Sequence, residues 1–418
     1  MKTFSKNQFI LLYIYVFIIL FFGNSVRGFF NIDLPTESVI GGIHYLALPF
    51  LFLLAFQIKG KKIDNSDWLV IASSILIIFI GKVINGSATI INIVNNCFEP
   101  ILLCSILKVA DEKTLRRMRK LLIVFFVVEC GVAVYESLTR TVVFAQLDDE
   151  QLYGMERWTM RAYSLHGHPL GNGALVSLMC VFFLTCNNLH KNMKLLLLGL
   201  GYFALFAFNN RGSVYVLTGI IALYIIYYMY KGKGSFVKKA IIIAALIYLA
   251  IYLVGLLSGS SLGTRIFTIG ISKNDDSTLG HLAVMNFLDM LDFKGWLIGV
   301  PADLIYGSFM RRAQAVAVES SIVLYILTYG VVYTLCYYLY LFHFIYTFKL
   351  RKMSKLLLLL MVILTLNTCN LIFGSNPYVI LLVLCMFCFN DNVRVDGIFL
   401  NISNKKNSFQ SITNKNKI

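Results

Sequence analysis

The stretch that decides the fold class is residues 320–347, SSIVLYILTYGVVYTLCYYLYLFHFIYT, which contains no Asp, Glu, Lys or Arg. A helix that crosses a membrane needs about 20 apolar residues, because it rises about 1.5 Å per residue across about 30 Å of hydrocarbon. Residues 320–347 exceed that length. They therefore predict one membrane-spanning helix.

About twelve stretches qualify as spans by the same criterion. They lie near 9–23, 40–58, 68–84, 89–107, 121–138, 169–186, 194–209, 212–230, 239–257, 320–347, 355–373 and 376–390. The fourth is weak, because several Asn residues and Glu99-Pro100 interrupt it. We predict an all-α polytopic membrane protein of about 12 transmembrane helices, forming a single domain over residues 1–390 and followed by a polar cytoplasmic tail over 391–418.

The composition excludes several other classes of protein. The 418 residues are 58% hydrophobic and 14% charged, and the mean hydropathy is +0.75. Soluble domains are about 45–50% apolar and about 25% charged. A soluble single domain, a disordered chain and a small disulfide scaffold are therefore excluded.

The net charge of +16 orients the chain. If the N-terminus is cytoplasmic, most of the 37 Lys and Arg residues fall in alternate connections on one side, with the densest group at 108–120. Positive residues collect on the cytoplasmic side of membrane proteins. Both termini are therefore predicted to be cytoplasmic, and the basic excess does not indicate a nucleic-acid partner.

Two long connections are predicted on the outer face, at about 139–168 and 258–318. Long loops are commonly functional. The second loop contains an apolar row at helical spacing that predicts an amphipathic helix on the membrane surface, ended by Gly295-Trp296. That row is Leu279, Leu282, Met285, Leu288 and Leu291, with His281, Asp289 and Asp292 on the opposite side. The nine cysteines lie in or beside spans and are predicted to be small buried hydrophobic residues without disulfides.

Three arginines on the outer face are candidate anion ligands. Arg161 begins RAYSLHGHPLGNG (161–173), Arg211 lies in NNRGS (209–213), and Arg265 lies in LGTRI (262–266). A guanidinium donates two parallel hydrogen bonds to phosphate oxygens, which suits a diphosphate. The structural alternatives are an ion pair of Arg161 with Glu156 or Asp149, and contact of Arg211 with lipid headgroups.

Candidate proton carriers lie on the same face. Glu319 is a possible general base beside these arginines, or simply an acid that favours the start of a helix. His166, His168 and His281 are candidate proton carriers or sugar contacts. Two histidines without a third ligand do not predict a metal, no phosphate-binding loop is present, and no cofactor is expected. Glu99, Glu129 and Glu136 are costly inside a bilayer, and Glu136 lies near enough to the outer end of its span to join the site.

These features resemble the O-antigen and capsular polysaccharide repeat-unit polymerases, within the superfamily that also contains the O-antigen ligases. The similarity covers most of the chain. Its motifs are Arg161 before HPLGNGA (168–174), NNRGS, Arg265, GWLIGVP (295–301) and ESSIVLYILTYG (319–330). Ligases carry a histidine near the position of Glu319, so the glutamate favours a polymerase.

The resemblance implies a glycosyltransferase of the bacterial inner membrane that works on its outer face without a cofactor. Its substrates would be undecaprenyl-diphosphate-linked oligosaccharides, as both donor and acceptor. Arg161, Arg211 and Arg265 would hold the leaving diphosphate, and Glu319 or a histidine would accept the proton of the acceptor hydroxyl. Membrane lipids and a chain-length regulator protein are the further partners it implies.

Two alternatives stay open at this point. A ligase would transfer the same glycan to a lipid A core. A lipid-linked oligosaccharide flippase would also have about twelve spans and bind a diphosphate, but its charged residues would line a cavity at mid-membrane between two related halves. The collection of charged residues on one face and the unequal outer loops favour an enzyme.

Overall fold

The computed structural model of the chain describes residues 4–32, 42–60, 63–85, 90–144, 161–231, 284, 286–313, 318–348, 350–368 and 376–389. Throughout these residues the regular structure is helical, and none of them forms a strand. The predicted all-α class is therefore confirmed. The predicted polar tail and most of the two long loops lie outside the described residues.

The described residues form a series of α-helices. In chain order they are α1 (Lys6–Phe21), α2 (Asn24–Phe29), α3 (Ile43–Gln57), α4 (Asn65–Asn85), α5 (Ile90–Ile93), α6 (Glu99–Leu107), α7 (Glu112–Thr139), α8 (Pro169–Thr185), α9 (Lys191–Ala207), α10 (Arg211–Lys231), α11 (Phe293–Ile298), α12 (Met310–Ala313), α13 (Ser321–Thr347), α14 (Lys352–Thr368) and α15 (Tyr378–Cys388). A π-helical turn at Val94–Phe98 joins α5 to α6, and another at Leu304–Phe309 precedes α12.

Several of these helices are suited to a membrane. Five are long and apolar enough to cross one, namely Asn65–Ile84, Ile90–Leu107, Glu112–Thr139, Arg211–Lys231 and Ser321–Thr347. The shorter helices α1, α3, α8 and α15 are also apolar. Every predicted span that falls within the described residues coincides with a helix, whereas 239–257 lies outside them. The helices indicate an integral membrane protein.

The burial of side chains separates central helices from peripheral ones. Every residue of α15 is buried, as is nearly all of α8, and these two helices pack on each other and on α7. On α4, by contrast, Leu69, Phe79 and Val83 are 61–67% exposed. Exposed apolar surface of this kind would cause aggregation in water but is stable against lipid tails.

One end of the bundle, which we call the loop end, is where α8, α10 and α15 begin. Contacts between the first turns of these helices show that they share it. The Asn210 side chain before α10 donates a 3.1 Å hydrogen bond from Nδ2 to the carbonyl of Leu170 in α8. Asn376, before α15, lies against Gly171, where a Cβ atom would come within 2.6 Å of its Nδ2.

The opposite end, which we call the basic end, carries many of the cations predicted to be cytoplasmic. Arg119 of α7 donates to a carbonyl at the end of α15. Arg351 donates a 3.1 Å hydrogen bond to Asn187 after α8, and Lys108 pairs with Asp64 at 2.6 Å. The described basic connections thus share one end of the bundle, as the charge pattern predicts.

The weak fourth span is helical in spite of its polar residues, because those residues find partners. Glu99 accepts hydrogen bonds inside the bundle. The π-helical turn shifts the backbone register, and Tyr337 of α13 donates a 2.8 Å hydrogen bond to the carbonyl of Asn96 there. A backbone carbonyl in a lipid-embedded bundle must find such a donor within the protein.

Helix α13 is broken at Gly330, whose φ of 80° and ψ of 168° are not helical. The short helix α11 fills the break. The amide of Val300, just after α11, donates a 2.7 Å hydrogen bond to the carbonyl of Leu327, which the break would otherwise leave unsatisfied. Gly299 and Gly330 have no side chains to keep the two backbones apart, so α11 and α13 pack in direct contact.

This packing corrects the predicted helix end at Gly295-Trp296. Gly295-Trp296 does not end a helix but lies inside α11, because the Asp292 side chain accepts a 2.7 Å hydrogen bond from Gly295 N–H and starts a new helix. In the described part of the predicted surface helix, Phe287 and Leu291 are buried in a small core with the first half of α13. They therefore face protein rather than lipid.

The described cysteines are Cys97, Cys104, Cys130, Cys180, Cys186, Cys336, Cys385 and Cys388. All of them are free thiols, and all but Cys336 are buried. The prediction of small buried hydrophobic residues is confirmed for this part of the chain.

Candidate functional site

Residues 161–168, which we call the anchor loop, precede α8 at the loop end. Two carboxylates of α7 hold the anchor loop in place. Glu136 accepts hydrogen bonds from the amides of Tyr163 at 2.7 Å and Ser164 at 2.9 Å on one oxygen. Its other oxygen accepts from the amide of Val143 at 2.9 Å. Glu136 therefore replaces the partners that these buried amides lack in an irregular segment.

Glu129 lies two turns earlier on the same face of α7 and continues the same contact. Its carboxylate accepts a 3.3 Å hydrogen bond from the amide of Leu165, and its backbone carbonyl accepts a 2.9 Å bond from the Ser164 hydroxyl. The sequence analysis expected Glu136 near the site, and this is where it lies. Both glutamates contact the backbone of the loop, so they position it.

The anchor loop also contacts the turn between α9 and α10. The amide of Ala162 donates a 3.0 Å hydrogen bond to the carbonyl of Ala207, at the end of α9. Arg161 precedes Ala162, and Arg211 begins α10 only four residues after Ala207. Two of the three predicted anion ligands are therefore brought to one turn at the loop end.

Asn210 connects this turn to α8. Its Oδ1 accepts a 3.1 Å hydrogen bond from the amide of Ser213, which caps α10, while its Nδ2 donates to Leu170. A Cβ atom on Gly173 would lie 2.5 Å from that Nδ2, so the close approach requires glycine there. The motifs HPLGNGA and NNRGS are thus packed together, and the positive ends of two helix dipoles share this location.

The two histidines of the anchor loop have different environments, and their arrangement does not fit a metal site. His166 is buried, and its ring packs edge-on against Phe125 at 5.9 Å. Burial lowers the pKa of His166 to about 4, so the imidazole is neutral near pH 7 and is a poor proton donor. His168 uses Nδ1 to accept a 3.2 Å hydrogen bond from Gly171 N–H, which caps α8. Among the described residues, no group of three or more His, Cys, Asp and Glu side chains is arranged to hold a metal ion.

Glu319 lies immediately before α13, and Ser320 rather than Glu319 caps that helix by accepting a 3.4 Å hydrogen bond from Val323 N–H. Glu319 still lies at the start of α13, where an acid is favourable whether or not it caps the helix. Thr365, near the end of α14, is 2.8 Å from the hydroxyl of Tyr378 at the start of α15. The second half of α13 and α14 are antiparallel neighbours, so Gly330 lies toward the loop end. The break at Gly330 then turns the first half of α13, which follows Glu319, back on the second half, and the Tyr325 ring stacks on that of Tyr337 at 5.3 Å.

The first half of α13 belongs to ESSIVLYILTYG, and it packs against GWLIGVP through the contact at Gly330. These two motifs are separated by residues 302–318 and are in direct contact in the structure. Arg265 and His281 lie outside the described residues.

A buried polar cluster between α1, α3 and α6 was not predicted. His44 Nδ1 lies 2.6 Å from Glu99 Oε2, and the Tyr15 hydroxyl donates a 2.8 Å hydrogen bond to the other oxygen of Glu99. The sequence marks Glu99 as unusual inside a span. It does not identify its partners, because they come from two other helices.

A second group that the sequence analysis did not single out lies on the turn between α1 and α2. Ser25 is buried there, and Arg27 is partly buried on α2. The available signal was weak: a cation directly after the first span is ordinary in a membrane protein. Its significance comes from the contact of this turn with the anchor loop.

No protein-family model matches this chain, and no curated protein sequence is similar enough to match it.

Proposed function

We propose that the protein is a membrane glycosyltransferase that polymerises undecaprenyl-diphosphate-linked oligosaccharide repeat units into O-antigen or capsular polysaccharide. The observation that carries this proposal is the hydrogen bond between Ala162 and Ala207, which brings Arg161 and Arg211 to the same turn. Two cations beside the first turns of α8 and α10 suit a diphosphate.

The proposed chemistry needs little beyond charge stabilisation. The growing glycan leaves its diphosphate and joins a hydroxyl at the non-reducing end of a new repeat unit. Diphosphate is already a stable anion, so Arg161, Arg211 and Arg265 stabilise the developing charge rather than protonate it. Glu319 accepts the hydroxyl proton.

The charge distribution supports an orientation for this reaction. If the basic end faces the cytoplasm, as positive residues do in membrane proteins, the loop end faces outward from a bacterial inner membrane. The partners are then the two lipid-linked oligosaccharides, the surrounding lipids and a chain-length regulator protein.

The glycan pattern of a deletion strain tests the reaction class. A ladder reduced to single repeats supports a polymerase. Long chains that are made but not attached to lipid A core indicate a ligase, and lipid-linked units trapped in the cytoplasm indicate a flippase.

Complementation of that strain tests the anion ligands. Arg211→Ala should lower chain extension by about 100-fold or more, the typical effect of removing a group that stabilises transition-state charge. Arg312→Gln, at an exposed position on α12, is the matched control and should restore full chains. Long chains from Arg211→Ala at normal protein levels would reject the assignment of Arg211.

A further inference from the structure

The turn between α1 and α2 packs directly on the far end of the anchor loop. A Cβ atom on Gly23 would clash with the carbonyl oxygen of Leu165 and would lie 2.6 Å from Nδ1 of His166. Gly167 has a φ of 75°, and a Cβ atom there would lie 2.7 Å from the Ser25 hydroxyl. Two glycines thus allow the backbones to touch, and they bring Ser25 against the anchor loop.

Three buried polar atoms on these two segments have no hydrogen-bond partner among the described residues. They are Oγ of Ser25, Nε of Arg27 and Nε2 of His166. Ser25 is 4% exposed and His166 is 7% exposed. The terminal nitrogen Nη2 of Arg27 donates to Asn24 Oδ1, so Nε is the guanidinium nitrogen that is buried without a hydrogen-bond partner.

Unpaired buried donors are unfavourable by about 1–3 kcal/mol each. Ser25 and Arg27 both donate, and the absent partner is therefore an acceptor. Burial lowers the pKa of Arg27, because no counter-charge compensates for its desolvation, yet an arginine stays protonated at physiological pH. The imidazole of His166, which is neutral near pH 7, lies against the same turn at Gly23. The two donors, one of them charged, match a phosphate oxyanion.

We propose that Ser25 and Arg27, beside His166, form a second anion subsite, which takes a phosphate group of the second lipid-linked substrate. This inference rests on the proposed function, because joining two lipid-linked glycans requires two diphosphates to be held at once. The anchor loop offers one place for each. Arg161 lies at its α10 end beside Arg211, and Gly167 lies at its α2 end beside Ser25.

Pyrophosphate binding tests the subsite without any turnover. The full-length protein would be placed in nanodiscs of zwitterionic lipid, and binding of labelled inorganic pyrophosphate would be measured by equilibrium dialysis. Two classes of site are expected in the wild type. Arg27→Gln should weaken one class about 10-fold or more, the effect of losing a hydrogen bond to a charged group, and Ser25→Ala should weaken the same class by a smaller factor.

Arg27→Lys keeps the charge but loses the Nε–H donor, so its affinity should fall between those of the wild type and Arg27→Gln. Arg312→Gln removes an exposed arginine and should leave both classes unchanged. Arg211→Ala should remove the other class only. Wild-type binding by Arg27→Gln, or loss of all binding in Arg211→Ala, would overturn the second subsite.

Competition in Arg211→Ala discs identifies the source of the phosphate. Displacement of pyrophosphate by a polyprenyl diphosphate, with phosphatidylglycerol ineffective, supports the substrate assignment; equal displacement by phosphatidylglycerol overturns it.

The proposed function and the second subsite are tested by different experiments, so one can be rejected without the other. If the deletion strain makes a normal ladder, the polymerase proposal is wrong even where pyrophosphate binding at Arg27 persists.

Discussion

The amide of Tyr163 donates a 2.7 Å hydrogen bond to Oε2 of Glu136, and this bond connects the anchor loop to α7, the longest of the described helices. Glu136 accepts three backbone amides with its two oxygens. A carboxylate is suited to this, because it only accepts hydrogen bonds. The position of Arg161 therefore depends on an acid that has no direct contact with an anion in our proposal.

Glu136→Gln should destabilise the protein by about 2–4 kcal/mol, because the amide nitrogen faces backbone donors and leaves them unsatisfied. Amide hydrogen exchange at Tyr163 and Ser164 should become faster, and chain extension should fall. Glu112→Gln, at an exposed glutamate that pairs with Arg116, is the control and should change stability by less than about 1 kcal/mol. Unchanged exchange at Tyr163 in Glu136→Gln would contradict the positioning role.

Gly330→Ala should destabilise the protein by more than about 3 kcal/mol. The new Cβ would clash with the Leu297 carbonyl in α11, and a φ of 80° is strained for any residue with a side chain. Gly219→Ala in α10 meets no atom within 4 Å and should be neutral or slightly stabilising. Denaturation of both variants in the same detergent provides the comparison, and equal stabilities would show that α11 does not fill the break.

Tyr337→Phe should cost about 1–2 kcal/mol, because it removes the donor to the Asn96 carbonyl in the π-helical turn. The neighbouring Tyr338 is the matched control: its hydroxyl is buried and has no hydrogen-bond partner among the described residues. Tyr338→Phe should therefore be neutral or stabilising. If Tyr338→Phe proves as destabilising as Tyr337→Phe, the hydrogen bond is not what stabilises the turn.

His166 makes the stability depend on pH. Its pKa is about 4 in the folded protein and about 6.5 when unfolded, so the unfolded chain binds the proton first as the pH falls. The stabilisation is complete above pH 6.5 and is lost on acidification toward pH 4, with a total of about 3 kcal/mol. His166→Gln should flatten this part of the profile relative to the wild type, measured by denaturation at a series of pH values. Parallel profiles would rule out His166 as the source.

Much of the helical architecture was predictable. Uncharged runs such as 320–347 indicate helices by length alone, and the alternation of basic connections placed Arg119 and Arg351 at one end. The arginines of NNRGS and of RAYSLHGHPLGNG were expected on one face, since both lie in connections of the same parity. Hydrophobic runs and the alternation of basic connections are local or periodic features, so a single sequence is enough to identify them.

Other features were beyond sequence reasoning or were predicted wrongly. His166 and His168 look like a pair in sequence but are separated by Gly167, whose positive φ turns the backbone between them. Gly295-Trp296 resembled a helix end but lies inside α11, since Asp292 caps a new helix there. Ser25 and Gly167 are in contact although about 140 residues separate them in the sequence. A local sequence pattern cannot predict a contact between segments that far apart.

The sequence alone predicted the apolar helices of a membrane protein, the basic end of the described bundle, and Arg161 and Arg211 at its other end. Hydrophobic length and charge are properties of short segments, so the bilayer imposes those outcomes regardless of how the helices pack. Tertiary structure decided that Glu129 and Glu136 hold the anchor loop and that Ser25 and Arg27 lie at its far end. Those relationships depend on hydrogen bonds between distant segments, which exist only after the helices have assembled.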